Sequence, residues 1–205
     1  MSVSSLTRFT VPLASDQSAS NQGLLMPKLP FRFRAVFENF GVTTPRSELT
    51  KQVATFTRPN LSMPEKTIDV YNSKVYYVGK PEWSAADVTF RDDAAGNVSR
   101  LVGEQTQKQF DFMEQSSAAS GIDYKYITRL EVLDGGNGVN EPTVLETWEF
   151  YGCMLTKVDY TTNDYKNDDP LMINITFKFD NVLQIPLQSG IGSPVPRTTG
   201  DVLTG

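Results

Sequence analysis

Apolar and polar residues alternate along much of this chain. Between 31 and 38, Phe31, Phe33 and Phe37 fall on one side with Ala35. Arg32, Arg34 and Glu38 fall on the other, interrupted by Val36. Successive side chains of a strand point to opposite faces, so this period of two predicts a half-buried strand. At 84–92, Ala86, Val88 and Phe90 oppose Asp87, Thr89 and Arg91. The pattern is clearest at 171–180, where Leu171, Ile173, Ile175, Phe177 and Phe179 oppose Asn174, Thr176, Lys178 and Asp180. Further strands are expected at 49–56, 67–71, 74–78, 126–134, 143–151 and 153–158. Asn72 and Ser73 separate the 67–71 and 74–78 strands, and Gly152 bends the chain between the last two.

One stretch changes period. Val98, Leu101, Val102, Gln105, Gln109, Phe112, Met113 and Ser116 follow helical spacing, which predicts an amphipathic helix over 98–119 packed on a sheet. Asn97 suits its N-cap and Gly121 its stop. Elsewhere the punctuation is that of turns. Gly41 and Pro45 end the first strand. Pro59 and Pro64 lack the donor that a central ladder needs, so 57–64 is expected as a loop or an edge. The run Asp134-Gly-Gly-Asn-Gly138 lies between two strand patterns with no helix after it. It therefore predicts a hairpin connection, not a phosphate-binding loop. The polar loop at 160–170 brings Asp164, Asp168 and Asp169 close to Asp159, without the spacing of a calcium loop.

These segments organise the chain into three parts. Residues 1–27 are an N-terminal arm, extended or disordered; 28–185 form one β domain; and 186–205 are a tail rich in Gly, Pro, Ser and Thr. Twelve Phe, eight Tyr and two Trp in 205 residues can fill a single core. No apolar run reaches the roughly 18 residues of a membrane span, and the Ser-rich start lacks a signal-peptide core. Neither a membrane anchor nor a cleaved export signal is expected. The lone Cys153 excludes an internal disulfide and sits in a strand-like apolar context, where a free thiol is a small buried hydrophobe.

Histidine is absent altogether. That excludes Ser-His-Asp and Cys-His catalysis and removes the commonest general base and transition-metal ligand. Asp92 and Asp93 are adjacent, and on a strand they point to opposite faces, so they cannot serve together as paired carboxylates. No catalytic residue, cofactor or metal site is expected. A net charge of −5 also argues against tight duplex binding, which requires clustered cations.

About eight or nine strands with one flanking α-helix predict a mainly β fold, an antiparallel β-sandwich or half-barrel. Such a domain has edges, and edges seek partners. Identical copies arranged in a ring join their edges, and the polar faces of 84–92 and 171–180 then line a wet channel.

From Leu29 to about Leu183 the order of elements resembles the tail tube proteins of contractile bacteriophage tails, a family shared with contractile injection systems. The matching pieces begin with Leu29-Pro-Phe-Arg-Phe-Arg-Ala-Val-Phe-Glu-Asn39, Met63-Pro-Glu-Lys-Thr-Ile-Asp-Val70 and Trp83-Ser-Ala-Ala-Asp-Val-Thr-Phe-Arg-Asp-Asp93. The helix with Phe110-Asp-Phe-Met113 and Gln115 follows. Leu155-Thr-Lys-Val-Asp-Tyr160, the acidic loop and the last alternating strand complete the match. The resemblance implies a virion structural protein, not an enzyme. It implies hexameric rings stacked into a tail tube inside a sheath protein, with initiator and terminator proteins at the ends and DNA passing through without sequence reading. Assembly in the host cytoplasm is implied as well. Candidate lumen-facing residues are Asp87, Thr89, Arg91, Asn174, Thr176, Lys178 and Asp180. A family lumen tends to be acidic; these faces carry both signs. The candidate contact between subunits or rings is the loop with Arg58, Pro59, Asn60, Met63, Pro64 and Glu65. Two other readings stand beside this one. One is a tube subunit of a phage-derived injection or secretion system. The other is a β-sandwich module for carbohydrate or peptide, in which Trp83, Tyr76 and Tyr77 would stack on sugar.

Overall fold

A computed structural model of the chain describes residues 27–43, 46–136, 142–166, 168–185 and 190–194. The expected N-terminal arm, apart from Pro27 at its end, and most of the C-terminal tail lie outside the described residues.

The element order is β1 (Phe33–Glu38), α1 (Ser47–Gln52), β2 (Val53–Phe56), β3 (Leu61–Ser62), β4 (Glu65–Val70), β5 (Ser73–Val78), β6 (Glu82–Trp83) and β7 (Ala86–Arg91). Then follow α2 (Asn97–Gln109), β8 (Phe110–Asp111), β9 (Ser116–Ser117), α3 (Gly121–Tyr124), β10 (Tyr126–Leu133), β11 (Val144–Tyr160), β12 (Met172–Lys178) and β13 (Asn181–Ile185). The fold is mainly antiparallel β, as the alternation predicts.

Two sheets share one strand. β11 runs unbroken for 17 residues. Its first half lies between β10 and β13, with β1 beyond β10, and its second half leads a sheet ordered β11-β12-β7-β2. Gly152 does not end a strand here; it takes φ +67° at the irregularity where Tyr126 pairs with Cys153 but Thr128 pairs with Phe150. A Cβ at that position would meet the Asp180 carboxylate, so glycine is needed both for the left-handed backbone and for the space.

The core lies between the sheets. Phe37, Phe40, Phe90, Phe150, Phe177 and Phe179 are buried, and their rings meet edge-on or tilted, as in Phe150–Phe179 at 5.0 Å. Cys153 is fully buried, and burial pushes its thiol up to about 12. The helix α2 closes one side with Val98, Leu101 and Val102.

Several local expectations are corrected. Residues 49–52 are not strand but the end of α1, which anchors itself by burying Leu49. The long helix stops at Gln109, because Phe110 turns extended and the Asp111 carboxylate accepts from the N–H groups of Met113 and Glu114, closing a tight turn between β8 and β9. A local side-chain acceptor of this kind competes with the helix. Gly96, at φ +69°, occupies the cap of α2. The Asp93 carboxylate, not Asn97, accepts from the Val98 N–H, and it holds the Asn97 amide as well. Gly121 begins a helix instead of ending one: Ser120 and Asp123 form a reciprocal capping box around α3. The turn between β4 and β5 is Tyr71-Asn72, with Tyr71 at φ +47°. The hairpin expected at 134–138 is borne out by the antiparallel pairing of β10 with β11, although residues 137–141 lie outside the described set. Phe31 is exposed, outside β1. β13, pairing Val182 with Phe150, has no counterpart among the strands expected from the alternation.

Candidate assembly surfaces

The hairpin β2–β7 does not end at the sheet. Beyond Phe56 the two strands stay together: the Thr57 N–H donates to the Asp87 carbonyl and the Ser84 N–H to that of Asn60. Leu61–Ser62 then pairs with Glu82–Trp83, the Gly79 N–H donates to the Pro64 carbonyl, and β4 pairs with β5 out to the tip. The result is one ribbon, standing off the body by roughly 33 Å from Leu61 to Tyr71 at about 3.3 Å per residue. The prolines fit this edge-like ribbon because Pro64 is used as an acceptor.

Every residue of β4 and β5 is exposed. Residues paired directly across a hairpin share a face. One face of the arm therefore carries Ile68 with Val75, Lys66 with Tyr77, and Val70 with Ser73; the other carries Tyr76 with Thr67 and Val78 with Glu65. Ile68, Val70, Val75, Tyr76, Tyr77 and Val78 all face solvent. An isolated two-stranded hairpin is marginal in water, and an apolar patch of this extent marks a contact surface. Of the candidate loop residues, Arg58, Pro59 and Asn60 form the base of the ribbon, Met63 and Pro64 its lower stem, and Glu65 opens the arm. Trp83 is no sugar platform: it packs on the core, 5.9 Å from the Phe179 ring.

The second surface is the polar face of the sheet β11-β12-β7-β2. Register places Lys157, Thr176 and Asp87 in one row; Asp159, Asn174, Thr89 and Thr55 in the next; and Met172 beside Arg91 in a third. Asp87, Thr89, Arg91, Asn174 and Thr176 are thus brought onto one face. Several of its polar groups are engaged within the subunit. The Thr176 hydroxyl donates to Asp87 at 2.6 Å, Lys157 lies 3.2 Å from Asp159, and Lys178 lies 3.6 Å from Glu82. Asp180 stands apart. It lies beyond the end of β12 and pairs with Lys125 at 2.6 Å.

The third surface is the pair of sheet edges. Among the described residues, β2 pairs only with β7, and residues 157–160 of β11 pair only with β12. One step earlier that edge is sealed. The Gln109 side-chain amide receives the Leu155 N–H at 2.7 Å and donates to the Leu155 carbonyl at 3.0 Å, acting as a substitute strand residue. Its neighbour Gln105, fully buried, joins the Gly41 N–H to the Tyr124 carbonyl. Sequence reasoning put both glutamines on the buried stripe without seeing their task; a polar pair four residues apart on that stripe was the available signal. Beyond the seal, the Thr161 N–H donates inward to Met172, so alternation turns the N–H and C=O groups of Val158 and Tyr160 outward.

The opposite flank of the domain is held by a ladder of charges across β1, β10 and β11. Arg129 binds Glu38 and Glu149, Tyr151 donates to Glu149, and Arg34 pairs with Glu131 at 2.6 Å. Burial pushes the Glu149 carboxyl up, but the Tyr151 and Arg129 hydrogen bonds outweigh it and hold the group below its ordinary value. Among the described residues no cluster of His, Cys, Asp or Glu could hold a metal ion, and no helix is long and apolar enough to cross a membrane. Asp92 and Asp93 belong to the α2 cap, where the Asp92 carboxylate accepts from the Asp93 N–H.

No family model matches this chain, and no curated protein matches it by sequence. Solved structures do match its fold. The anti-feeding prophage cap, an AFP tube-terminating cap, superposes with a TM-score of 0.57 at 12% identity, covering 85% of this chain and 98% of that one. The sheath/tube terminator of the extracellular contractile injection system PVC, in its extended state, gives 0.55 at 12% identity, covering 79% and 99%. A chain of the PVC sheath-tube complex in the extended state gives 0.52 at 13% identity, covering 82% and 98%. The chain has the fold of tube and terminator components of contractile systems.

Proposed function

We propose that this chain is a structural subunit of the inner tube of a contractile phage tail, with six copies closing a ring and rings stacking into a channel for genome ejection. The observation that carries the reading is the arm: twelve residues that, among the described residues, pair only with each other, every one exposed, with apolar side chains in water. Such a ribbon is explained by a neighbouring copy that covers it.

The sheet supports closure. Its four strands, β11, β12, β7 and β2, alternate in direction. An even number leaves antiparallel strands at the two edges, so β2 of one copy can continue the ladder on the β11 edge of the next around a ring axis. Topology also supports stacking. The arm leaves the Ala86 end of β7, whereas the 161–171 loop adjoins the Arg91 end, where Met172 pairs with Arg91. The two therefore project from opposite ends of the sheet, and arms of one ring reach toward the loop side of the next. The polar face then lines the lumen. Asp87, Thr89, Arg91, Asn174, Thr176 and Lys178 present small, mostly paired charges, a wall along which DNA slides without being gripped; Asp180 is left out of this set. A sheath protein would surround the tube, with initiator and terminator proteins at its ends, and the particle would assemble in the host cytoplasm.

Two of the solved structures above are a terminator and a cap, which favours one variant: a single ring that ends a tube. Negative-stain microscopy of the purified protein separates the outcomes. Hollow rods are expected. Rings that never stack would make the chain a terminator. A monomer that stays monodisperse at high concentration would sink the assembly reading, and a sugar affinity in that monomer would favour the binding module.

A further inference from the structure

The two edges of the lumen sheet carry opposite charge. Beside β2 lies a groove of about 960 Å³, open between β1 and β2, whose lining includes Lys28, Arg32, Arg34, Lys51, Arg58 and Arg91. Among the described residues no carboxylate lines it, in a chain of net charge −5. Lys28 pairs with Glu146, Arg34 with Glu131, and Arg32 bonds the Asp134 carbonyl. Lys51, at the end of α1, together with Arg58 and Arg91, gives the β2 side of the groove its positive charge. Its floor is apolar, with Phe33, Val53, Phe56 and Leu130.

The other edge is acidic. Residues 157–160 of β11, which include Asp159, run into a loop with Asp164, Asp168 and Asp169. Its described cations are Lys166 and, at its base, Lys157, which is already paired with Asp159. The loop borders an open pocket of about 770 Å³ lined by Asp164, Asp169, Pro170, Leu171 and others, with no basic side chain among them. Carboxylates over an apolar floor suit the long stem and charged head of a Lys or Arg.

Register brings these features to the same height. Thr161 bonds to Met172, Met172 pairs with Arg91, and the row before it runs Tyr160, Ile173, Phe90, Val53. The end of β11 that enters the acidic loop is therefore level with the Lys51 and Arg91 end of β2 and β7. When the β11 edge of one copy meets the β2 edge of another, the loop falls beside those cations.

We infer that the cationic groove between β1 and β2 is a docking site for a second copy of this chain, and that the occupant is its β11 edge with the Asp164–Asp169 loop acting as an electrostatic latch. The inference rests on the ring reading and adds to it a direction: each copy offers a negative edge on one side and receives one on the other. Like edges repel, which disfavours a symmetric two-copy pair and selects head-to-tail contacts, the kind that build a ring when the rotation closes.

The test is a charge swap. The Lys51→Glu/Arg91→Glu chain and the Asp164→Lys/Asp168→Lys chain are each expected to lose rings, by on the order of tenfold or more in the assembled fraction at low salt. A chain carrying all four changes should recover them. Circular dichroism melting shows whether each variant still folds, and sedimentation velocity reads the rings. Wild-type rings should also weaken as salt shortens the screening length to about 10 Å near 0.1 M. If folded single-sided variants assemble like wild type, or if the fourfold swap restores nothing, the latch is wrong while the ring reading stands. If the wild type itself forms no rings, both fall together.

Discussion

β7 and β4 are each six residues long, each antiparallel to its neighbour, and each built on alternation, yet they end in opposite circumstances. In β7 every second residue is buried; in β4 none is. The difference lies in what stands behind the strand. β7 has β12 and β2 on its flanks and a core beneath Ala86, Val88 and Phe90. Among the described residues β4 has only β5, and apolar residues occur on both faces of that ribbon. A period of two thus reports strand geometry. Whether the apolar side finds its cover inside the same chain depends on where the ribbon points. The arm leaves Ile68, Val70, Val75 and Tyr77 exposed to water.

The sharpest way to break this comparison is to place a carboxylate at matched positions. Ile175, fully buried on β12, replaced by Asp should unfold the body, because an unpaired buried charge costs several kcal/mol, on the order of the whole stability of a domain. Ile68→Asp on the arm should leave the melting temperature within a few degrees of wild type and remove assembly in the microscope. Thr176→Asp, one residue from Ile175 but on the polar face, sets a second carboxylate near Asp87. Its loss should stay below about 1 kcal/mol, as for other exposed like-charge pairs across strands. Equal damage from Ile175→Asp and Thr176→Asp would mean that the faces are misassigned. Equal damage from Ile175→Asp and Ile68→Asp would mean that the arm belongs to the folded body.

A smaller effect probes the seam where the body stops and an open edge begins. Gln109→Leu removes the amide that serves the Leu155 N–H and carbonyl, leaving two backbone groups without their partner at the point where β11 parts from β10. Each unmet group costs about 1–3 kcal/mol when water cannot reach it. Urea unfolding should show a lower midpoint with an unchanged slope. Gln109→Ala, which lets water in, should cost less. An unchanged midpoint in both would show that the seam is solvated already and that Gln109 is ornamental.

What could be read in the sequence follows the same division. The faces of β7 and β12 were legible because one core lies behind both, and Ile173, Ile175 and Phe177 report it directly. α1 was not legible: six residues with one core anchor, Leu49, are too few for a 3.6 period to declare itself. The end of α2 was hidden because Phe112 and Met113 continue its spacing, while the Asp111 carboxylate just upstream settles the outcome locally. Asp180 has the parity of the polar face, but the strand ends at Lys178 and the turn hands the carboxylate to Lys125. The length of the arm was hidden for a different reason. Residues 67–71 and 74–78 were readable as paired strands, but that Leu61 and Trp83 extend the same ribbon depends on a distant pairing, which no local pattern encodes.

The smallest effect sharpens the comparison through pH. Glu146 sits on β11, with 7% of its surface exposed, and holds Lys28 and Gln184. Burial alone pushes its carboxyl up, but the Lys28 ammonium and the two hydrogen bonds outweigh burial, so the folded value lies below the ordinary one. The unfolded chain therefore binds the proton more readily than the folded chain. The stabilisation is present above the unfolded value and is lost as pH falls through the folded one, over a window that opens at the ordinary glutamate range and extends below it. Glu146→Gln should lower stability at neutral pH and flatten the acid slope across that window in denaturant titrations. Asp69→Asn on the arm removes only a solvent-exposed contact, 3.7 Å from Lys74, and exposed pairs contribute little. It should leave the slope as it is. If the slope were unaltered by Glu146→Gln and altered by Asp69→Asn, the acid response would originate in the arm, and the division between a self-sufficient body and a ribbon awaiting its partner would have to be redrawn.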